Sequence, residues 1–93
     1  MVDFVVHDRK DSAGVVVVEG VEAGQQLSGW QMDTDESLSV TVRDAIPIGH
    51  KLALVDIAEG SDVIKYGEVI GRAVAAIPVG AHLHVHNVKT KRW

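Results

Sequence analysis

The chain has 93 residues, 46% hydrophobic and 24% charged, the size and make-up of one small globular domain, which excludes disordered and collagen-like chains. Residues 1–88 hold six basic and thirteen acidic side chains, while Lys89, Lys91 and Arg92 crowd the C-terminus; a body this acidic repels nucleic acid. There is no cysteine, hence no disulfide framework, thiolate metal site or cysteine nucleophile, and no apolar run nears the roughly 18 residues of a membrane helix.

The N-terminus, Met1-Val2-Asp3-Phe4, lacks the charged and apolar regions of a signal peptide, so the expectation is a cytoplasmic protein. A first hydrophobic strand runs into His7-Asp8-Arg9-Lys10-Asp11-Ser12, a polar loop with no nucleophile elbow and no argument for a triad. Val15 to Val18 is a β-branched run suited to a buried strand. Asp33-Thr34-Asp35-Glu36 lacks the length and spacing of a calcium loop and reads as a solvated turn. After it Leu38, Val40 and Val42 alternate with polar residues, the mark of a half-buried strand.

The one helical candidate is Ser61 to Tyr66, where Ser61 could cap a turn. Lys65-Tyr66-Gly67-Glu68 reads as a polar turn, with Lys65 either anchoring an anion or at the surface while Tyr66 packs on the core edge. Near the end Leu83 and Val85 interleave with His82, His84 and His86. The count is six or seven short strands in a single domain over 1–93, with 89–93 as a basic tail whose Trp93 suits docking on a partner.

Hydrophobic-x-x-Gly-x-x-hydrophobic occurs four times, beginning at Val21, Ile46, Ile57 and Ile77. Each reads as a tight turn into a strand, with glycine supplying the positive φ such a turn needs. The spacing is too irregular for a solenoid. Ala45-Ile-Pro-Ile-Gly49 returns as Ala76-Ile-Pro-Val-Gly80, the sign of a turn-rich all-β domain with two related halves.

Five histidines are present. If residues 82–86 form a straight strand, His82, His84 and His86 share a face, and His82 lies roughly 13 Å from His86 at about 3.3 Å per residue. One ion with nitrogen bonds of about 2.0–2.1 Å then takes at most two of the three, and its remaining ligands come from elsewhere. Spacing alone leaves two readings open, a metal site or a polar solvated face. His50, in Gly49-His50-Lys51, stands at a turn where an acid or base near neutral pH can collect.

Gly49-His50-Lys51, Asp56-Ile57, Gly60, Lys65-Tyr66-Gly67, Ile70-Gly71 and His84-Val85-His86-Asn87 together resemble the SAF-type domain of the altronate and galactarate dehydratase family over essentially the whole chain. The resemblance implies a β-clip fold and a divalent metal, Fe2+ in most members. A free-standing domain of this kind is similar to the family's small subunits. That implies a lyase removing sulfite from (2R)-3-sulfolactate to give pyruvate, with chemistry shared with a large (beta) catalytic subunit and this chain inactive alone.

By the same resemblance His84 and His86 are metal candidates, His50 and Lys51 catalytic candidates at the active-site turn, and Lys65, Tyr66 and His7 substrate contacts. The acidic residue that follows His7 in the family is displaced here to Asp11. The other expectations are part of a sugar-acid dehydratase and, in a different class, a non-catalytic sugar-acid binding module. The small core favours burial against a partner, the large subunit in the enzyme or a further copy of the chain in isolation.

Overall fold

A computed structural model describes residues 2–90. Nine strands are present among them: β1 (Phe4–Val6), β2 (Ala13–Val16), β3 (Gln26–Gln31), β4 (Glu36–Thr41), β5 (Lys51–Ala53), β6 (Asp62–Lys65), β7 (Glu68–Ala73), β8 (His82–Leu83) and β9 (Val88–Thr90). Six form one sheet in the order β4-β3-β1-β2-β5-β8, and β6-β7-β9 form a second. Only β1 and β3 pair in parallel. The domain is all-β, as the alternating apolar residues require.

The four glycine turns organise this fold. Gly24, Gly49, Gly60 and Gly80 all have φ between 85° and 91°, a conformation that costs any L-residue with a Cβ. In each turn the glycine N–H donates to the carbonyl of a residue at or next to a strand end, and that residue's N–H donates back. Gly24 and Gln25 hold Val42 this way, Gly49 and His50 hold Val16, Gly60 and Ser61 hold Ala73, and Gly80 and Ala81 hold Ala53. The turns then join in pairs, Val21 bridging Ile46 and Ile57 bridging Ile77.

The core follows the same division. Phe4, Val16, Val21, Leu27, Ile46 and Leu52 are among the residues of one buried cluster, and Ala13, Ala53, Ile57, Val63, Ile77 and Leu83 are among those of the other. The two related halves expected from the Ala-Ile-Pro repeat are thus two packed units, each built on one pair of turns. Phe4 fits because Gly29 has no side chain: the Phe4 ring lies where a Cβ would stand.

Four expectations need correction. Residues 61–66 are not helical, since Asp62–Lys65 is β6, paired with β7; counted by twos, Val63 and Lys65 face inward. Lys65 is fully buried and Tyr66 is exposed, the reverse of a surface lysine beside a packed tyrosine. The Val15–Val18 run is a strand only to Val16, and Val17 is exposed. Lys89 and Thr90, read as the start of a tail, pair with Arg72 and Gly71 in β9, while the docking expectation for Trp93 lies outside the described residues. Asp33, Thr34 and Asp35 lie in the β3–β4 hairpin turn and Glu36 opens β4; Asp35 has φ 55° and accepts a hydrogen bond from Trp30 Nε1 at 2.8 Å.

Candidate functional site

The polar loop after β1 docks on the β6–β7 hairpin. Ser12 Oγ accepts the Ile64 N–H at 2.8 Å, and the Ser12 N–H donates to the Ile64 carbonyl at 2.9 Å. Asp11 Oδ1 accepts the Gly67 N–H at 2.8 Å, and its Oδ2 lies 3.8 Å from Lys65 Nζ. Lys65 Nζ is also hydrogen-bonded to His7 Nδ1 and sits 4.2 Å over the Tyr66 ring, on which the His7 ring rests with centroids 4.0 Å apart. Burial lowers the pKa of Lys65; the Asp11 charge opposes this and Lys51 reinforces it. His7 is likewise pushed below the usual histidine value, first by burial and then by the Lys65 charge.

The second cluster is made of imidazoles. β8 stops at Leu83 because Asn87 draws the chain round: its Oδ1 accepts the His84 N–H at 3.0 Å and its Nδ2 donates to the His82 carbonyl at 2.8 Å. His86 therefore curls back until its ring centroid is 5.3 Å from that of His82, where a straight strand would hold them roughly 13 Å apart. From the β5 turn, His50 Nδ1 reaches to 2.9 Å from His82 Nε2, and the His50 and His84 rings stack at 4.3 Å.

His50, His82 and His84 each bring a ligand nitrogen within 4.8 Å of the other two. Two nitrogens on one ion at a right angle, with bonds of about 2.0–2.1 Å, stand about 2.9 Å apart, so the His50–His82 pair has the spacing of a chelate. Three imidazoles with no thiolate suit zinc, iron, copper or nickel better than calcium. Burial and the neighbouring His50, His86 and His84 hold the His82 pKa below the histidine range, and a neutral ring is the form that binds metal.

Between the clusters lies a cavity of about 380 Å³. Lys51, Lys65, Tyr66, His84 and Thr90 supply its polar lining, and apolar residues such as Val63 and Ile70 the rest.

The model of the altronate/galactarate dehydratase SAF domain matches residues 2–91. The chain belongs to this family. As a SAF domain it is 66% identical, over 99% of its own length and 98% of the relative's, to the (2R)-sulfolactate sulfo-lyase subunit alpha of Chromohalobacter salexigens. It is 54% identical over 54 residues to the subunit of the same name from Paracoccus pantotrophus, 58% of this chain and 81% of that one. Altronate dehydratase of Escherichia coli is 48% identical over 62 residues, 67% of this chain, but those residues are only 12% of that enzyme.

Set in this SAF domain, the residues singled out from sequence fall into two groups. His50 and His84 meet in the imidazole cluster, while His7, Lys65 and Tyr66 meet beneath the hairpin. Lys51 and His84 line the cavity that Lys65 and Tyr66 also line. His86 touches the edge of the cluster and is not one of the three converging ligands; His82 takes that place. Asp11 and Ser12, read as ordinary loop residues, are buried hydrogen-bonding anchors. Period-two counting from Val63 was the signal for an inward Lys65, and the expectation of a helix concealed it.

Proposed function

We propose that this chain is the small subunit of a (2R)-sulfolactate sulfo-lyase, acting with a large catalytic subunit to eliminate sulfite and leave pyruvate. The reading rests on the 66% identity that spans both chains almost end to end. A shared site is supported by the exposed Tyr66 and Val85, which both line the cavity; bare apolar surface beside a polar pocket is what a partner covers.

His50, His82 and His84 would hold a divalent metal, which we take to be Fe2+. Bound there, the metal supplies a Lewis acid for the carboxylate and hydroxyl of the substrate. Lys51, half-buried on the cavity wall, offers its ammonium to the substrate's second anionic group, and Tyr66 lines the cavity beside Lys65. His7 acts on Lys65 from behind and not on the substrate directly. Elimination from such an acid needs a proton taken from the carbon next to the carboxylate and a leaving group lost from the next one. No nucleophile is required.

The test is sulfite release from (2R)-3-sulfolactate by the chain mixed with its large partner, with and without ferrous iron, and with altronate as control. Metal-dependent release that needs both chains is the expected result. Turnover of altronate instead moves the assignment to sugar-acid dehydration, and full activity of the large subunit alone leaves this chain a binding module.

A further inference from the structure

Lys65 is the one fully buried lysine among the described residues, and its surroundings do not treat it as an ordinary ammonium. Its carboxylate neighbour is 3.8 Å away, and Asp11 is already occupied by the Gly67 N–H and, at 3.3 Å, the Asp8 N–H. The closest partner is His7 Nδ1, a ring nitrogen that pairs with the Lys65 nitrogen without neutralising a charge. The groups facing it are Asp11 and His7 from the loop, Tyr66 from its own hairpin and Lys51 from β5: one carboxylate against a second cation. Apolar Val63, Ile70 and Leu83 complete the wall of the cavity it lines.

We propose that Lys65 is the general base of the elimination and that the proton it takes leaves for solvent through His7. The inference rests on the reaction assigned above. The free amine removes the proton from the carbon bearing the hydroxyl and carboxylate, and the electron pair of that bond becomes the double bond to the β carbon. The carbon–sulfur bond breaks, sulfite departs with its electrons, and the enol that remains shifts its hydroxyl proton to the β carbon to become pyruvate. The Lys65 ammonium then hands its proton to His7 Nδ1, and the half-buried His7 ring releases one to water.

A site of this kind divides the labour of two lysines. Lys51, half-buried at the cavity wall, binds the anion, while Lys65, desolvated, serves as the base. The lowered pKa of Lys65 agrees with the geometry, because a base must be unprotonated at working pH to act.

The decisive experiment uses the assembled two-subunit enzyme with Lys65→Ala, Lys65→Arg and Lys65→Cys chains. The protein has no cysteine of its own, so the Lys65→Cys chain can be alkylated with 2-bromoethylamine while unfolded, refolded and mixed with the large subunit. Folding and assembly are checked by circular dichroism and gel filtration. The expected result is a loss of kcat of about 10²–10⁴-fold in Lys65→Ala and Lys65→Arg, with KM little changed. The aminoethylated chain should recover turnover with its acid limb moved to lower pH, because a thioether amine is a weaker base. An active Lys65→Arg enzyme, or a loss confined to KM, makes Lys65 an anion anchor and overturns the proposal.

Failure of the wild-type pair to release sulfite counts against the reaction assigned above. The state of Lys65 is then decided separately by its side-chain NMR titration in the intact chain. A midpoint well below the ordinary lysine value of about 10.4 is expected, and an ordinary midpoint overturns the proposal whatever the turnover.

Discussion

His50 Nδ1 and His82 Nε2 stand 2.9 Å apart, so one hydrogen bond joins two rings 32 residues apart in sequence, one from the turn before β5 and the other from β8. A metal would replace that hydrogen bond with two bonds of its own. Removing either ring therefore takes away a ligand and leaves the other nitrogen without its partner. For His50→Ala and His82→Ala we expect ferrous or zinc affinity to fall by at least about tenfold, the size of a loss of roughly 1.4 kcal/mol, as read by calorimetric titration of the chain. His86→Ala, outside the converging trio, should bind within a few-fold of wild type. Equal losses in all three variants would remove the His50/His82/His84 assignment.

Burial sets a pH dependence. Desolvation holds His82 and His7 below the ordinary histidine value of 6.5, helped by the neighbouring imidazoles for His82 and by the Lys65 charge for His7, so the unfolded chain takes up protons at a pH where the folded rings still refuse them. Acid then favours unfolding: stability is full above about pH 6.5, falls as pH drops below it, and stops falling on this account once the lower folded values are passed. Urea midpoints of the metal-free chain, measured from pH 7.5 to 5, should show this slope, and His82→Asn should flatten it. A slope unchanged in the variant would show that His82 is not its source.

Asp11 and Ser12 carry a prediction about the hairpin that presents Lys65 and Tyr66. Asp11→Ala frees both the Gly67 N–H and the Asp8 N–H and removes the carboxylate beside Lys65, and each donor left unpaired costs about 1–3 kcal/mol. Ser12→Ala leaves the Ile64 N–H without its acceptor, a loss of about 1–3 kcal/mol. Chemical denaturation should rank the two in that order, both below wild type. Asp11→Asn, which keeps an oxygen for Gly67, should lie between Asp11→Ala and wild type.

What could be read in the residues was what repeats locally. The four glycine turns were visible because each needs the same backbone conformation at one position, and Leu38 and Val40 showed a strand by alternation. What could not be read depended on contacts across the chain. His82 becomes a ligand partner of His50 only because β5 pairs with β8 through Lys51↔Leu83 and Leu52↔His82. His86 was misplaced because Asn87, noted only as part of a motif, is the side chain that turns 84–87 back on itself. Lys65 lies between these cases: alternation from Val63 pointed it inward, yet nothing short of the docked loop with His7 and Asp11 showed why a lysine is tolerated there.

The turn glycines are alike in φ but not in surroundings, and this separates two kinds of strain. A Cβ on Gly49 would meet open space, whereas one on Gly80 would run into the Thr41 carbonyl oxygen and crowd the Val42 backbone. Gly49→Ala should then lose only the left-handed penalty of about 1–2 kcal/mol. Gly80→Ala adds a backbone clash at the point where the second half of the fold, through the Gly80 carbonyl, accepts the Arg43 N–H. Its thermal midpoint should drop further than that of Gly49→Ala, and because Ala81 and His82 follow directly, its metal affinity should fall as well while that of Gly60→Ala holds. Matching losses of stability in Gly49→Ala and Gly80→Ala would mean that the Thr41 contact relaxes away and that the junction of the two halves is softer than its packing implies.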